Sequence, residues 1–214
     1  MKTLLVGEYR CSRLLDPTYE LLGFAAQLGG ETAMFLVGSE GQLPLCGGTL
    51  YLADATVCGE YNPDVHKKLI LEAVQKENPD YIVFLHSSYG WDLAPRVAAA
   101  LRAAQLSEVV AIAEGGSFEV CCCNAKMRRN VKPLTSKAVL TIQTGAFIAV
   151  QPGGAPVVQK LSAEVTATVL EFVGYEPAEE REIDLAKAEV IVAAGRGVGK
   201  KENIPAIAAL AKAM

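Results

Sequence analysis

Short apolar runs alternate with amphipathic stretches through the first half of the chain. Runs rich in branched and aromatic residues predict strands over 3–7, 31–38, 48–54, 80–86 and 106–114. Between them, apolar residues at helical spacing predict helices over 16–30, 62–78 and 91–104. The run at 80–86 is almost continuously apolar, which is typical of a strand whose sheet is covered on both faces.

Turn and capping residues mark the ends of the predicted helices. Asp16 and Pro17 predict a strong helix start, with Asp16 as the N-cap and Pro17 at the first helical position. A glycine pair ends that helix. Asn62 and Pro63 open the second helix in the same way, and Asn78, followed by a proline, stops it.

Strands that alternate with helices in this order predict βαβ crossovers, and therefore a parallel sheet. Ligands of such sheets bind beyond the carboxyl ends of the strands. His86, Ser87 and Ser88 stand at the end of the run at 80–86. These three residues are candidates for a ligand site, and an ordinary surface loop is the alternative.

From Gly115 onward the pattern changes to short strands joined by turns. Runs without intervening helices predict an antiparallel β extension of the sheet over 117–125, 125–134, 137–143 and 165–176. The glycine and proline content of 151–157 predicts a loop. Lys126, Arg128, Arg129 and Lys132 form a basic cluster, for which a solvated strand face is the favoured interpretation.

The chain is predicted to contain two domains joined by a linker. Residues 1–175 form the α/β domain with its β extension. Residues 176–187 are charged and lack an apolar face, so they are interpreted as the linker. Residues 188–214 have the pattern of a strand, a glycine-rich loop and a helix, which predicts the beginning of a second α/β domain, truncated at Met214.

Composition and charge exclude several classes of protein. Apolar residues make up 51% of the chain and charged residues 21%, so it can build a sizeable core. The net charge of −4 argues against binding nucleic acid through phosphate contacts. No apolar run approaches the roughly 20 residues of a membrane span, and the start lacks the pattern of a secretory signal. We expect a cytoplasmic protein without membrane insertion or nucleic-acid partners.

The six cysteines do not form a recognisable metal or disulfide pattern. Cys11, Cys46, Cys58 and the run Cys121–Cys123 contain no CxxC pair, and the two histidines are not spaced to complete a zinc site. We expect reduced thiols and no metal. For the run, a strand with alternate thiols on opposite sides is the favoured interpretation. Redox sensing or adventitious metal binding is the alternative.

A glycine-rich turn, Gly195-Arg196-Gly197 extended to Gly199, follows the predicted strand at 189–194. Its glycines permit a sharp turn and a close approach of a ligand to the peptide N–H groups. The helix after it favours anionic groups at its start. The spacing matches neither the dinucleotide fingerprint nor the phosphate-binding P-loop. A plain tight turn and a ligand loop are therefore equally good interpretations of these residues alone.

Longer segments resemble electron transfer flavoprotein alpha subunits. REIDLAKAEVIVAAGRGVGKKENI at 181–204 resembles the junction between the two domains of that family. EFVGYE at 171–176 and GWDLAPRVAAAL at 90–101 are further matches, and the resemblance covers the chain in order. It implies an adenine nucleotide alpha-hydrolase-like domain followed by the start of the FAD-binding domain. One departure is Cys123 before Asn124, where the family commonly has a Gly-Asn pair.

The resemblance implies an electron-carrier subunit and not an enzyme in its own right. Members of the family pair with a beta subunit and hold FAD. They carry electrons from flavin dehydrogenases, such as the acyl-CoA dehydrogenases of fatty acid β-oxidation, to a quinone-linked acceptor. The flavin does the redox chemistry, and the protein supplies geometry and charge.

Carried over by residue, the resemblance assigns Gly195, Arg196 and Gly197 to the FAD site. The Arg196 guanidinium would lie against the flavin and favour negative charge on the reduced ring; a surface cation beside a turn is the alternative. Glu202 and Asn203 match the motif and are expected to cap the last helix. The family's other FAD-binding segments have no counterpart here, so we expect this chain alone to bind no FAD tightly.

Two other functions stay open. The first is a stand-alone adenine-nucleotide-binding module in which residues 86–88 line the site, although only Gly7 follows the first strand where a phosphate loop needs several glycines. The second is an assembly domain without a ligand. A catalytic enzyme is disfavoured because the sequence has no Ser-His-acid arrangement or metal motif. Asp92 is interpreted as a partner of the helix dipole.

Overall fold

A nine-stranded sheet forms the centre of the first of two units in this protein. The computed structural model describes residues 1–150, 153–162, 170, 172–176 and 188–214. The first unit comprises Met1–Val173 and the second Gly174–Met214. In the described part of the chain, we find no helix with the length and apolar character needed to cross a membrane.

Seven of the nine strands are parallel, and two antiparallel strands close one edge. The parallel strands are β1 (Lys2–Val6), β4 (Glu31–Gly38), β5 (Thr49–Asp54), β6 (Tyr81–Leu85), β7 (Ala104–Ala113), β10 (Ala138–Ile142) and β11 (Val157–Leu161). The antiparallel strands are β8 (Ser117–Cys122) and β9 (Met127–Val131). Their order across the sheet is β11-β5-β4-β1-β6-β10-β7-β8-β9. The predicted α/β class is confirmed.

Helices cover both faces of this sheet. They are α1 (Thr18–Leu28), the single turn α2 (Ala55–Cys58), α3 (Pro63–Glu77) and α4 (Ser88–Leu101). Leu4 of β1 belongs to the buried cluster that contains α3 and α4, whereas Leu5 belongs to the cluster that contains α1. Because successive strand residues point to opposite faces, a sheet covered on both sides needs apolar residues at every position. This explains the continuous apolar runs.

Capping residues define α3 as predicted. The Asn62 side chain accepts a hydrogen bond of 3.2 Å from the Val65 N–H, and Pro63 occupies the first helical position. Asn78 ends the helix in the left-handed conformation with φ 50°. The short polar side chain of asparagine tolerates that conformation better than most residues do.

The starts of α1 and α4 differ from their predictions. Helix α1 begins at Thr18 after Pro17, which is already helical, and no side chain caps it, so the N-cap prediction for Asp16 is wrong. Helix α4 begins at Ser88 and not at Trp91, because the Ser87 hydroxyl caps it by accepting from the Gly90 N–H. The polar residues that indicated a loop are therefore the start of the helix.

A two-stranded hairpin follows β1 and was not predicted. Its strands are β2 (Tyr9–Arg10) and β3 (Arg13–Leu14), and the turn residues Cys11 and Ser12 have φ of 50° and 59°. Two left-handed residues between antiparallel strands form the tight turn that suits the strand twist. The Glu60 carboxylate accepts from both turn N–H groups, at 2.8 and 2.9 Å. This contact fixes the hairpin beside the start of α3.

One strand assignment of the β extension needs correction, and one strand of the sheet was not predicted. The segment 137–143 was predicted as part of the antiparallel extension, but β10 is parallel and lies between β6 and β7. Strand β11, at the opposite edge, follows a segment predicted only as a loop. Strands β8 and β9 are antiparallel as predicted. Of the strand predicted over 165–176, residues 165–169 and 171 lie outside the described residues.

The second unit is described from 188 onward as two short turns of 3-10 helix and one α-helix. The turns are Arg196–Val198 and Lys201–Asn203, and the helix is α5 (Ile204–Ala213). The strand predicted over 189–194 is absent from this described segment. A strand needs a neighbour for its backbone hydrogen bonds, and the described residues of this unit supply none. The domain limits 1–175, 176–187 and 188–214 stay predictions, and residues 177–187 lie outside the described residues.

Candidate functional site

The sheet changes winding direction between β1 and β6. From β1 the chain passes through α1 to β4 on one side, and it later returns through α3 to β6 on the other side. In doubly wound sheets, ligands bind at this switch point, outside the carboxyl ends of the two strands. Glu8, two residues beyond β1, and Ser87, two residues beyond β6, lie at this position.

Glu8 and Ser87 close the switch point with a direct hydrogen bond. The Ser87 hydroxyl donates to Glu8 Oε1 at 2.5 Å and accepts from the Gly90 N–H at 3.1 Å. The Glu8 N–H donates to Thr18 Oγ1 at 3.1 Å, which ties the same residue to α1. Glu8 is only 7% exposed. The chain thus fills this position with its own carboxylate.

Burial shifts the pKa of the Glu8 carboxylate. Loss of water raises the pKa of Glu8 from 4.5 to about 6, although the Ser87 hydrogen bond and the charge of Arg10 act in the opposite direction. At neutral pH the group is still ionised. A buried anion beside the capped start of α4 repels phosphate, so the geometry opposes a phosphate-bearing ligand at this switch point.

Replacing Glu8 with glutamine is expected to raise the free energy of unfolding at neutral pH by about 2 kcal/mol. The folded pKa lies above the unfolded one, so the ionised carboxylate destabilises the fold above about pH 6. The contribution of Glu8 to stability should therefore increase as the pH falls from about 6 to 4.5, and the variant should lack this contribution. Urea unfolding across this range measures both effects.

The exposed Glu114 provides the matched control for this substitution. Glu114→Gln removes one carboxylate at the surface and should change the stability by less than about 0.5 kcal/mol. A Glu8→Gln variant that is less stable than wild type at neutral pH would contradict the prediction, because it would mean that the buried charge stabilises the fold.

The predicted trio of residues 86–88 does not form one site. Ser87 faces Glu8, whereas His86 Nδ1 lies 2.8 Å from Thr141 Oγ1 of β10. Ser88 is the exposed first residue of α4. Sequence reasoning placed these residues at the correct edge of the sheet but missed Glu8. The signal was available, since Glu8 follows the strand that pairs with β6.

The other histidine is part of a buried structural network. His66 is fully buried; its Nε2 lies 3.0 Å from the Gly59 carbonyl oxygen and its Nδ1 lies 3.1 Å from the Tyr89 hydroxyl. A carbonyl can only accept, so Nε2 carries the proton and Nδ1 accepts from Tyr89. Burial lowers the pKa of His66 from 6.5 to about 4. His66 is thus a neutral bridge between α3 and α4.

Asp92 also has a structural role, and its predicted role as a helix-dipole partner is wrong. It is the fifth residue of α4, beyond the first turn. Its carboxylate accepts from the Tyr61 hydroxyl at 2.6 Å and binds the Arg96 guanidinium at 3.0 Å. These contacts join α4 to the segment before α3.

A cleft of about 420 Å³ lies beside the carboxyl ends of β4, β5 and β11. Its charged groups are already paired. Lys160 contacts Glu40 at 2.5 Å, and the Asp54 carboxylate accepts from the Thr56 N–H and hydroxyl to cap α2. Among the described residues that line the cleft, these pairs leave no charge directed at a ligand.

The cysteine run and the basic cluster lie on the antiparallel hairpin. Cys121 and Cys122 end β8 and are half-buried, whereas Cys123 is exposed in the turn with φ 53°, so the predicted strand includes only the first two of the three cysteines. Among the described residues, no group of three or more potential ligands could hold a metal. Arg128 pairs with Glu119 at 2.8 Å. The exposed residues of β9 agree with a solvated strand face.

The glycine turn of the second unit is an open loop stabilised by its own backbone. The Val198 N–H donates to the Gly195 carbonyl at 3.1 Å, and Gly199 adopts φ 78°. The Asn203 amide donates to the Val198 carbonyl at 2.9 Å. Helix α5 has no side-chain cap, so the capping predicted for Glu202 and Asn203 is wrong. Asn203 braces the turn instead.

Gly195 and Gly197 are not required by this chain's own structure. Neither has a left-handed φ, and a Cβ added at either position would meet nothing within 4 Å. Gly199 differs, because its φ of 78° favours glycine. Arg196 between the first two is exposed. The turn therefore leaves room for a group from outside this segment to approach its backbone.

The fold and the switch point define a nucleotide-binding-like, doubly wound α/β domain with an antiparallel edge. Residues 3–166 match the family model described as the electron transfer flavoprotein domain. The chain belongs to the electron transfer flavoprotein family.

Curated relatives resemble the chain over nearly its whole length. It is 29% identical to the electron transfer flavoprotein subunit alpha of Bradyrhizobium diazoefficiens, over 95% of this chain and 66% of that protein. It is 25% identical to the subunit of the same name in Bacillus subtilis, over 100% of this chain and 70% of that protein. Protein FixB of Clostridium saccharobutylicum is 29% identical over 97% of this chain and 68% of its own length. The chain thus spans about two thirds of these relatives.

Proposed function

We propose that this chain is the N-terminal part of an electron transfer flavoprotein alpha subunit. With a beta subunit it would carry electrons from flavin dehydrogenases to a quinone-linked acceptor. The observation that carries the proposal is the extent of the match, since the family domain covers residues 3–166 and relatives named as alpha subunits match 95% or more of the chain. The chain would act as a carrier subunit and not as an enzyme.

The glycine turn is the part of this chain proposed to meet FAD. Gly195 and Gly197 have open space above their α-carbons, which fits the close approach of a bulky planar group. When bound, FAD supplies the electron-transfer chemistry of its ring. Arg196 would place a positive charge beside that group and so favour negative charge on it. The backbone bonds within the turn keep Arg196 between the two open positions.

The first unit would act as the scaffold on which the subunits assemble. Its switch point is occupied by the Glu8–Ser87 pair, so the position where a nucleotide would bind is filled by the protein. The same observation weighs against the alternative function, a stand-alone module for adenine nucleotides. Among the described residues, α5 buries none of its apolar side chains, which leaves them available for a further domain or subunit.

Co-expression of the chain with an electron transfer flavoprotein beta subunit tests the assembly. We expect a complex of one copy of each chain by light scattering, with Glu114→Gln as a surface variant that leaves it intact. Failure of the two chains to copurify would contradict the proposed subunit role.

Calorimetry of the chain alone with AMP, ATP and FAD separates the two functions. We expect no tight binding of any of the three by residues 1–214. Micromolar binding of AMP or ATP would support the nucleotide-binding module instead. A flavin spectrum retained by the purified chain would contradict the expectation that tight FAD binding needs additional segments.

The role of Arg196 is tested in the flavin-loaded native gene product. We expect Arg196→Ala to make the flavin potential more negative, because the reduced, anionic flavin loses a neighbouring positive charge. The nearby Lys201→Ala is the matched control, since it removes the same charge from the turn that follows. An unchanged potential and unchanged FAD retention in Arg196→Ala would exclude this residue from the site.

A further inference from the structure

The antiparallel hairpin at the edge of the sheet brings thiols and basic side chains together. Strand β8 ends with Cys121 and Cys122, and Cys123 follows in the turn before β9. Across the hairpin, Cys121 lies opposite Arg128. The Lys126 N–H donates to the Cys123 carbonyl oxygen at 3.3 Å, which closes the turn. Three thiols and several cations therefore share one short stretch of the surface.

Cys123 is the most accessible of these three thiols. It is exposed, whereas Cys121 and Cys122 are half-buried. The Cys122 sulfur also contacts the Met127 carbonyl oxygen, at 3.5 Å, so that thiol already has an acceptor in the hairpin. A reagent that arrives from solvent therefore reaches Cys123 first.

The backbone of Cys123 has a conformation that favours glycine. Its φ is 53°, and Asn124 and Ala125 follow with φ of 56° and 59°. A residue with a Cβ atom is strained in this left-handed region, and such strain is concentrated at functional positions. The turn thus keeps an exposed thiol at a position where glycine would be less strained.

Two of the three positive side chains nearest to Cys123 in the hairpin form no ion pair within the described part of the chain. Arg128 pairs with Glu119 at 2.8 Å, and Lys126 and Arg129 are the two others. At about 3.4 Å per strand residue, Arg129 lies roughly 10 Å from Lys126 along the chain. This is about the distance over which 0.1 M salt screens charges. The turn therefore attracts anionic reagents, and exposed thiols in positive surroundings are the reactive ones.

We propose that Cys123 is a modification site at which a small anionic disulfide of the glutathione class forms a mixed disulfide with the protein. The Cys123 thiol first loses its proton to water. Its sulfur then attacks one sulfur of the reagent, so that a new S–S bond forms and the original S–S bond breaks. The other half of the reagent leaves as a thiolate and takes up a proton. The Cys123 sulfur is oxidised and the released sulfur is reduced, so the reagent itself is the oxidant.

The neighbouring thiol is poorly placed to convert this mixed disulfide into a disulfide within the chain. Consecutive α-carbons are about 3.8 Å apart, whereas the α-carbons of protein disulfides are usually separated by about 4.4–6.8 Å. Cys122 is therefore too close in the chain, and Cys121 is fixed in β8 by its pairing with β9. The modification is reversed by an excess of the reduced small thiol. It would cover the positive turn with an anionic group, independently of the proposed carrier function.

Reaction with three disulfides of different charge tests this proposal. The protein used is Cys11→Ser, which lacks the other exposed thiol. We expect oxidised glutathione to add one glutathionyl group per chain, located on Cys123 by peptide mass spectrometry. Lys126→Gln should slow this reaction roughly threefold, accelerate the reaction with the cationic cystamine, and leave that with neutral 2-hydroxyethyl disulfide unchanged. A substitution that only altered the thiol or the turn would change all three rates in the same direction.

Lys160→Gln is the matched control, because it removes an exposed positive charge from β11 at the opposite edge of the sheet. It should leave all three rates unchanged. Equal effects of Lys126→Gln on the three reagents would overturn the proposal, and so would modification of another cysteine before Cys123. Loss of two thiols without added mass would also overturn it, because that result means a disulfide within the chain.

Discussion

Gly90→Ala is expected to destabilise the protein by roughly 3 kcal/mol, although alanine in a helix normally stabilises relative to glycine by about 1 kcal/mol. Gly90 is the third residue of α4, where the helix start packs on the end of β6. An added Cβ would lie 3.1 Å from the Leu85 carbonyl carbon, 3.2 Å from Phe84 Cβ, and closer still to the Leu85 oxygen. These are backbone and strand atoms in the buried sheet, so they cannot move aside easily.

Urea unfolding of Gly90→Ala and Gly41→Ala measures this effect. Gly41 is the control, because its added Cβ would meet only Ser39 Oγ, at 3.7 Å, and its φ is not left-handed. That variant should lie within about 0.5 kcal/mol of wild type. Wild-type stability in Gly90→Ala would mean that α4 and β6 are less closely packed than the structure shows.

The second large effect is an acid loss of stability caused by His66. Its folded pKa of about 4 lies below the ordinary 6.5, so the unfolded chain binds the proton more readily than the folded chain. Stability should therefore fall as the pH drops from 6.5 towards 4, by about 3 kcal/mol in total. Glu8 acts in the opposite direction, by about 2 kcal/mol, so the net loss in wild type is smaller.

Two variants separate these contributions. In Glu8→Gln the acid loss should become steeper, because the opposing contribution is removed. In His66→Gln the part of the slope due to His66 should disappear, and His86, which is present in both proteins, cancels from the comparison. Direct titration of the His66 ring by NMR in wild type is an independent check. An ordinary pKa near 6.5 would contradict its burial as a neutral bridge.

Local patterns predict the first half of the sheet correctly because each signal there has a local cause. Asn62 and Pro63 begin α3 through contacts within one helical turn. The apolar runs of β1, β4 and β6 reflect burial on both faces of the sheet, and the unbroken run of apolar residues itself indicates this burial. The family resemblance also holds, since it rests on segments along the whole chain and the family domain covers residues 3–166.

Failures occur where a distant contact decides the structure. The sequence of β10 is compatible with either strand direction, and only its insertion between β6 and β7 makes it parallel. The hairpin of β2 and β3 depends on the Glu60 carboxylate, which lies far along the chain. Asp16 has the residue type of a cap, yet Pro17 begins the helical conformation without using it.

The candidate site was predictable in its location and not in its contents. The rule for parallel sheets placed residues 86–88 at the correct edge. It could not show that Ser87 binds Glu8 while His86 turns to Thr141, because those partners lie on other strands. The glycine content of the turn is visible in the sequence, whereas the open space above Gly195 and Gly197 depends on the three-dimensional structure.

The insertion of β10 has a consequence for how the chain is made. On the ribosome β6 and β7 emerge first, and the hairpin of β8 and β9 follows before the strand that belongs between them is translated. Until Ile142 has left the exit tunnel, the facing edges of β6 and β7 lack the strand that pairs with their backbone N–H and C=O groups. Such late, long-range pairing slows folding and leaves an edge on which incomplete chains can associate.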